Sequence, residues 1–345
     1  MPVQSNGRKL IYGIDTVKSA AEYIKEKGSS NPLIVSTTGY SSTNFYRKLT
    51  EELENGYSEF REITYGPPLP EVEHLTEAYR NKECDSIISV GDASVIWSSK
   101  LLKYYYAHGA HHMAIPTTLT VSSFSDWAEY RIGDEINHVS EASLIPETVI
   151  LDPQSSVETD ASIWYSSGLS VMDYTFSNLM RDDISTEVED LLLSSLERLI
   201  INLPGQSMES RMESFLSSWY SKEDGYSVSR DPMTPIRNSL KKSMDMPDEL
   251  IAAVVLPLTA YYCMERKKKS LSDLANRLGF RGDNTSELSG KSYELVQGLI
   301  RKLGVTETLS EHGFGLEQMR HELNRLSLDK GIVDQVISSI YSPIS

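Results

Sequence analysis

Over the first half of the chain, short apolar runs bounded by glycine alternate with longer stretches whose apolar positions recur every three or four residues. Pro32-Leu33-Ile34-Val35-Ser36 lies between Gly28 and Gly39 and reads as a strand buried on both faces. Helical periodicity follows from Ser42 to Asn55. Asp85-Ser86-Ile87-Ile88-Ser89-Val90 is a second such strand and ends in Gly91. A helix over Val95 to Ala107, a strand over His112 to Pro116 and a last strand at Val149-Ile150-Leu151 complete the series. Strand, crossover and strand repeated in this way predict an open parallel sheet that takes ligands at the carboxyl ends of its strands.

Beyond Pro153 the pattern becomes helical. Amphipathic stretches run over Thr186 to Leu203, Ser207 to Lys222, Pro247 to Met264, Ser270 to Leu278, Tyr293 to Leu303, Leu316 to Asn324 and Asp334 to Tyr341. The change of pattern predicts two domains, 1–153 and 154–345. Within the helical half, 224–237 is the longest irregular piece, a connection or a loop that closes a site.

Composition narrows the functions open to such a chain. With 39% hydrophobic residues in 345, both halves can build full cores. The net charge of −16 argues against nucleic acid and anionic membranes, which reward positive surfaces. Arg266 to Lys269 is the one dense basic run, and it reads as a solvated helix end. Two cysteines, Cys84 and Cys263, provide neither a disulfide framework nor a thiolate metal cluster. There is no apolar leader and no apolar run of membrane-spanning length, so the cytoplasm is the expected location.

Several local motifs, in order, carry a family resemblance. They are Leu10-Ile11-Tyr12-Gly13, Ile115-Pro116-Thr117-Thr118-Leu119-Thr120, Pro146 to Pro153, Ser166-Ser167-Gly168-Leu169-Ser170-Val171-Met172-Asp173, Val254-Val255-Leu256-Pro257 and Leu303-Gly304-Val305. Together they resemble the iron-containing alcohol dehydrogenase superfamily, with glycerol dehydrogenase, dehydroquinate synthase and maleylacetate reductase. The resemblance implies a Rossmann-like α/β domain followed by an all-α domain, and a homodimer as the assembly.

It also implies a cofactor side and a metal side, and this chain departs from both. Gly91-Asp92-Ala93-Ser94 stands where the family has a Gly-Gly-Gly-Ser turn that lets backbone approach a pyrophosphate. A carboxylate about 4 Å from phosphate costs roughly 1 kcal/mol in water-like surroundings and about 4 at an effective dielectric of 20. Trp97 and Ser123 replace two acidic residues, His138 replaces a lysine, and Lys100, Thr117 and Thr118 are retained. On the metal side Asp173 keeps the first ligand position, whereas Ser177, Pro235 and Asp248 fall where histidines are expected, and Ser239 replaces a further one near the substrate. Two carboxylates without an imidazole suit neither zinc nor ferrous iron, and no metal is expected. Asp173 can equally serve as a hydrogen-bonding group inside the helical domain.

Three functions are weighed on these residues. The first is a repurposed, metal-free and cofactor-independent enzyme, a cyclase, isomerase or lyase of pericyclic type, that shapes an apolar natural-product intermediate between the two domains. Asp173, Ser177, Arg237, Ser239 and Asp248 would be its polar groups, and Phe124, Trp127, Tyr174, Tyr262 and His138 would line the pocket. The alternative is a metal-independent reductase of the maleylacetate reductase type using NADP or NAD, with Gly91, Asp92, Ser94, Lys100, Thr117 and Thr118 on the cofactor. The third is a non-catalytic small-molecule-binding relative. His108, His111 and His112 are expected to be a solvated loop rather than a metal cluster.

Overall fold

In a computed structural model the described residues are 2–5, 8–54, 56–133, 135–221, 233, 236–238, 240–241, 248–305, 315–325 and 330–341. They form two compact units, Met1–Thr159 and Asp160–Ser345. The division lies past Pro153 because a 3₁₀ turn, Pro153–Ser156, still belongs to the first unit.

The first unit is a seven-stranded sheet with the order β1-β2-β9-β6-β5-β3-β4. The strands are β1 Pro2–Ser5, β2 Arg8–Tyr12, β3 Pro32–Val35, β4 Ser58–Phe60, β5 Ser86–Gly91, β6 His111–Pro116 and β9 Thr148–Leu151. All neighbours run parallel except β1 against β2. Side chains alternate across the apolar runs, so one strand feeds two cores. Ile34, Ile88, Met113 and Ile150 pack under α1 (Ser19–Glu26) and α2 (Asn44–Glu52). Leu33, Val35 and Ile87 pack on the other face under α3 (Leu69–Asn81) and α4 (Ala93–Tyr105). A separate antiparallel hairpin, β7 (Trp127–Ile132) and β8 (Glu135–Ser140), turns at Gly133 with φ +58°.

Strand order reverses between β3 and β5, since β4 lies outside β3 and the chain then returns to its other side. There Ser36 Oγ donates to Val90 O at 2.7 Å, and Thr117 N donates to Gly91 O at 3.0 Å, so the carboxyl ends of β3, β5 and β6 are tied together.

Among its described residues the second unit's secondary structure is helical, with no strand: α5 Ala161–Leu179, α6 Thr186–Asn202, α7 Met208–Tyr220, α8 Asp248–Arg266, α9 Lys268–Arg277, α10 Thr285–Lys302, α11 Leu316–Arg325 and α12 Lys330–Tyr341. α5 packs along α8, α6 against α7, and α9 against α10. The two-part architecture expected from the sequence is observed. The irregular stretch at 224–237 lies outside the described residues apart from Met233 and residues 236 and 237. Among the described residues no helix is long and apolar enough to cross a membrane.

Candidate functional site

In the helical unit Asp173 and Ser177 lie one turn apart on α5, so both face the same way. Both are fully buried, and Asp173 is the one ionisable side chain among the buried residues of this helix. The charge that balances Asp173 comes from Arg237, itself buried. Its Nε donates to Asp173 Oδ2 at 2.5 Å, and its Nη2 donates to Ser177 Oγ at 2.8 Å. Thr259 Oγ1, from α8, donates to Asp173 Oδ1 at 2.5 Å. The guanidinium carbon lies 4.7 Å from the centre of the Tyr174 ring, within cation–π range. The structure thus brings Asp173, Ser177, Tyr174 and Arg237 together. Thr259 completes the group unanticipated, although a lone hydroxyl in the apolar run Ile251 to Ala260 is a visible signal.

This donor set does not fit a divalent metal. Both oxygens of Asp173 already accept strong hydrogen bonds, and Ser177 accepts from the same guanidinium. A dication about 4 Å from Arg237 would be repelled by roughly 8 kcal/mol at an effective dielectric of 20. No three His, Cys, Asp or Glu side chains converge among the described residues. Asp248 opens α8, but its side chain, Ser239 and Pro235 lie outside the described residues.

In the α/β unit the end of β5 carries the retained cofactor positions. Gly91 is the last residue of the strand and α4 starts at Ala93, so only Asp92 separates them. A Cβ on Gly91 would come within 2.5 Å of Val95 Cγ2, so glycine here lets α4 pack close against the strand end. The first turn of α4 presents backbone N–H groups, the arrangement that takes phosphate. An anion already sits there: Asp92 Oδ1 accepts from Val95 N at 3.2 Å. Burial raises the Asp92 pKa, and the backbone N–H groups of Val95, Ser94 and Asp92 only partly offset it. The frame fits a dinucleotide phosphate, with Asp92 occupying part of its place. Ser94 Oγ accepts from Gly66 N at 3.1 Å, and Thr117 and Thr118 are buried at the end of β6.

Lys100 is fully buried and points away from solvent. Its Nζ donates to Ser125 O at 2.8 Å, Ser125 Oγ at 3.1 Å and Trp127 O at 3.0 Å. The lysine expected on the cofactor is therefore a strut that holds the loop leading into β7. Phe124 and Trp127, expected as pocket walls, are buried in this unit, with Trp127 tilted against Trp97 at 5.3 Å. His138 is exposed on β8, edge-on to Trp127, with Nδ1 3.8 Å from the buried Glu129 carboxylate. Tyr262 packs edge-on against Tyr261 at 6.0 Å in α8.

The histidine trio is not one solvated loop. His111 and His112 belong to β6, and only His108 is exposed in the preceding turn. His112 is fully buried, with Nε2 2.8 Å from Ser89 Oγ, and burial holds its pKa well below the ordinary histidine range. Burial likewise lowers His111 to about 4.

Residues 7–153 match the family described as iron-containing alcohol dehydrogenase. A maleylacetate reductase of Rhizobium sp. is 23% identical over 321 residues, covering 90% of this chain and 86% of its own length. An NADPH-dependent butanol dehydrogenase of Clostridium saccharobutylicum is 20% identical and covers 93% of this chain and 89% of its own. The crystal structure of maleylacetate reductase from Agrobacterium tumefaciens superposes with a TM-score of 0.79 at 21% identity, covering 99% of this chain and 98% of that one. The chain resembles this superfamily along nearly its whole length and shares its fold. These findings overturn the expectation of a cofactor-independent cyclase, isomerase or lyase, because relatives that align over about nine-tenths of the chain are a reductase and a dehydrogenase. The expectation that no cofactor is used falls with it.

Proposed function

We propose that this chain, with the architecture of the iron-containing alcohol dehydrogenases, is an NAD(P)H-dependent reductase of the maleylacetate reductase and alcohol dehydrogenase type. The observation that carries the reading is the end of β5. A glycine there lets a helix begin two residues later, at the reversal of strand order, where open sheets bind nucleotides. The names of the relatives supply the reaction class, maleylacetate reduction and NADPH-dependent butanol oxidation.

When bound, the reduced nicotinamide supplies the hydride. The chain's own residues set the frame that receives the phosphates. The first turn of α4 offers N–H donors, and Gly91 permits the close packing that aims them. Asp92 tunes the charge at that turn, since protonation removes its repulsion toward an incoming phosphate. Lys100 and the Gly91–Thr117 bond fix the loops on either side. Arg237 and Asp173 form a buried, charge-balanced group in the helical unit, and no step runs through a metal.

Titration with NADPH and NADH by nucleotide fluorescence tests the reading directly. It is followed by loss of reduced-nucleotide absorbance with maleylacetate and with butanal as substrates. Saturable binding of one nucleotide and turnover of one substrate class are expected. Absence of binding by both nucleotides at millimolar concentration would sink the proposal.

A further inference from the structure

The resemblance places a divalent cation beside Asp173 and the residue four positions later, and the structure puts a side chain of opposite design there. We infer that Arg237 is the resident cation of this site: its guanidinium takes the charge position of a metal and closes the site to divalent ions. Three observations bear on this together. Asp173 and Ser177, at the would-be ligand positions, both accept hydrogen bonds from the same guanidinium, at 2.5 and 2.8 Å. The second carboxylate oxygen of Asp173 accepts from Thr259 at 2.5 Å, so each oxygen already holds a short hydrogen bond. The ring of Tyr174 lies against the guanidinium, a surface suited to a flat, weakly hydrated cation rather than to a small hard one.

The substitutions then form one coherent change. Serine in place of imidazole is a poor metal ligand but a good acceptor for a guanidinium N–H. A planar fork satisfies a carboxylate oxygen and a hydroxyl on one helix face at once, which an ammonium could not do with the same geometry. Because Asp173 and Arg237 are both buried, each is the other's charge balance, and a dication could enter only by expelling the arginine. The inference stands whether or not a nucleotide binds elsewhere.

The test uses the full-length chain and its Arg237→Ala variant. Metal content is measured after incubation with zinc or ferrous salt and dialysis, and melting temperature is measured with each metal, with EDTA, and with methylguanidinium or methylammonium chloride. The wild type is expected to retain no stoichiometric metal and to melt at the same temperature with metal or EDTA. Arg237→Ala is expected to melt lower and to be raised by methylguanidinium more than by methylammonium, as a ligand filling the vacated site would do. One zinc or iron per wild-type chain, with an EDTA-reversible rise in melting temperature, overturns the inference. Equal response of the variant to the two organic cations overturns it as well. If Arg237→Ala does not fold, the wild-type metal measurement decides alone.

Discussion

The carboxylate of Asp92 accepts the backbone N–H of Val95 at 3.2 Å, so the acid that crowds the phosphate position also caps the helix that would bind phosphate. The two roles separate by substitution. Asparagine caps as well as aspartate but carries no charge. Asp92→Asn is expected to leave stability nearly unchanged while tightening NADPH by roughly tenfold or more. Asp92→Ala also removes the repulsion, yet it loses about 1 kcal/mol of stability with the cap. Calorimetric titration beside urea unfolding of the two variants distinguishes these outcomes.

Nucleotide affinity should depend on pH through the same group. Burial raises the Asp92 pKa above its ordinary value, and a neighbouring phosphate raises it further, so binding takes up a proton. Affinity therefore weakens as pH rises through the raised pKa, and this dependence disappears in Asp92→Asn. A pH-independent affinity in the wild type would contradict the assignment.

The half-buried His111 and the buried His112 of β6 set the acid limb of stability. His111 is lowered to about 4 and His112 is held well below the usual range, both chiefly by burial. Both are neutral in folded and unfolded chains above pH about 6.5. As pH falls below that value the unfolded chain gains protons that the folded one refuses, and stability is lost progressively toward pH 4 and below. His112→Leu is expected to lower stability at pH 8, where its Ser89 bond is lost, while flattening the fall between neutral and acid pH. Urea midpoints measured across this range provide the check.

Gly91→Ala puts a methyl group where Val95 leaves only 2.5 Å. Overpacking of this kind costs about 1–3 kcal/mol and displaces the start of α4, so nucleotide binding should weaken with it. Val95→Ala in the same chain removes the obstructing methyls and should restore part of both. A double-mutant cycle showing simple additivity would rule out this contact as the cause.

Lys100→Met removes an ammonium from three acceptors of the loop before and within β7. Each buried acceptor left unsatisfied costs about 1–3 kcal/mol. The expected result is a large loss of stability together with a changed tryptophan emission, since Trp97 and Trp127 lie against each other beside this loop. A variant with wild-type stability and only a raised KM for nucleotide would instead return Lys100 to the cofactor.

What the chain reveals before folding depends on whether a position answers to one neighbour or to many. β3 and β5 are legible because both faces are buried, so their apolar runs are continuous. The β7–β8 hairpin escapes notice because it is short and mostly polar: Ala128, Tyr130 and Ile132 alternate with Glu129 and Arg131 in β7, but β8 offers only Ile136 and Val139 as apolar positions. Helix α10 begins at Thr285, two turns before the expected start at Tyr293, because the Asn284 cap on Glu287 N starts it and its early buried positions after Leu288 are serines, which leave no apolar period. His112 stands at the start of an expected strand and also in an expected solvated histidine cluster, and the pattern does not decide between them, since burying a neutral imidazole leaves no mark on it. Asp173 and Ser177 can be paired from helical spacing alone, but Arg237 reaches them from 60 or more residues away, and only the fold brings it there.

The anchoring of the Ser125–Trp127 loop by Lys100 has a corollary. Two of the three acceptors are main-chain carbonyls, which every amino acid carries. Those two bonds do not depend on which side chains the segment carries, whereas the third, to the Ser125 hydroxyl, and the packing of Trp127 on Trp97 do. A single cation that grips main chain sets the path of a loop separately from the side chains the loop packs.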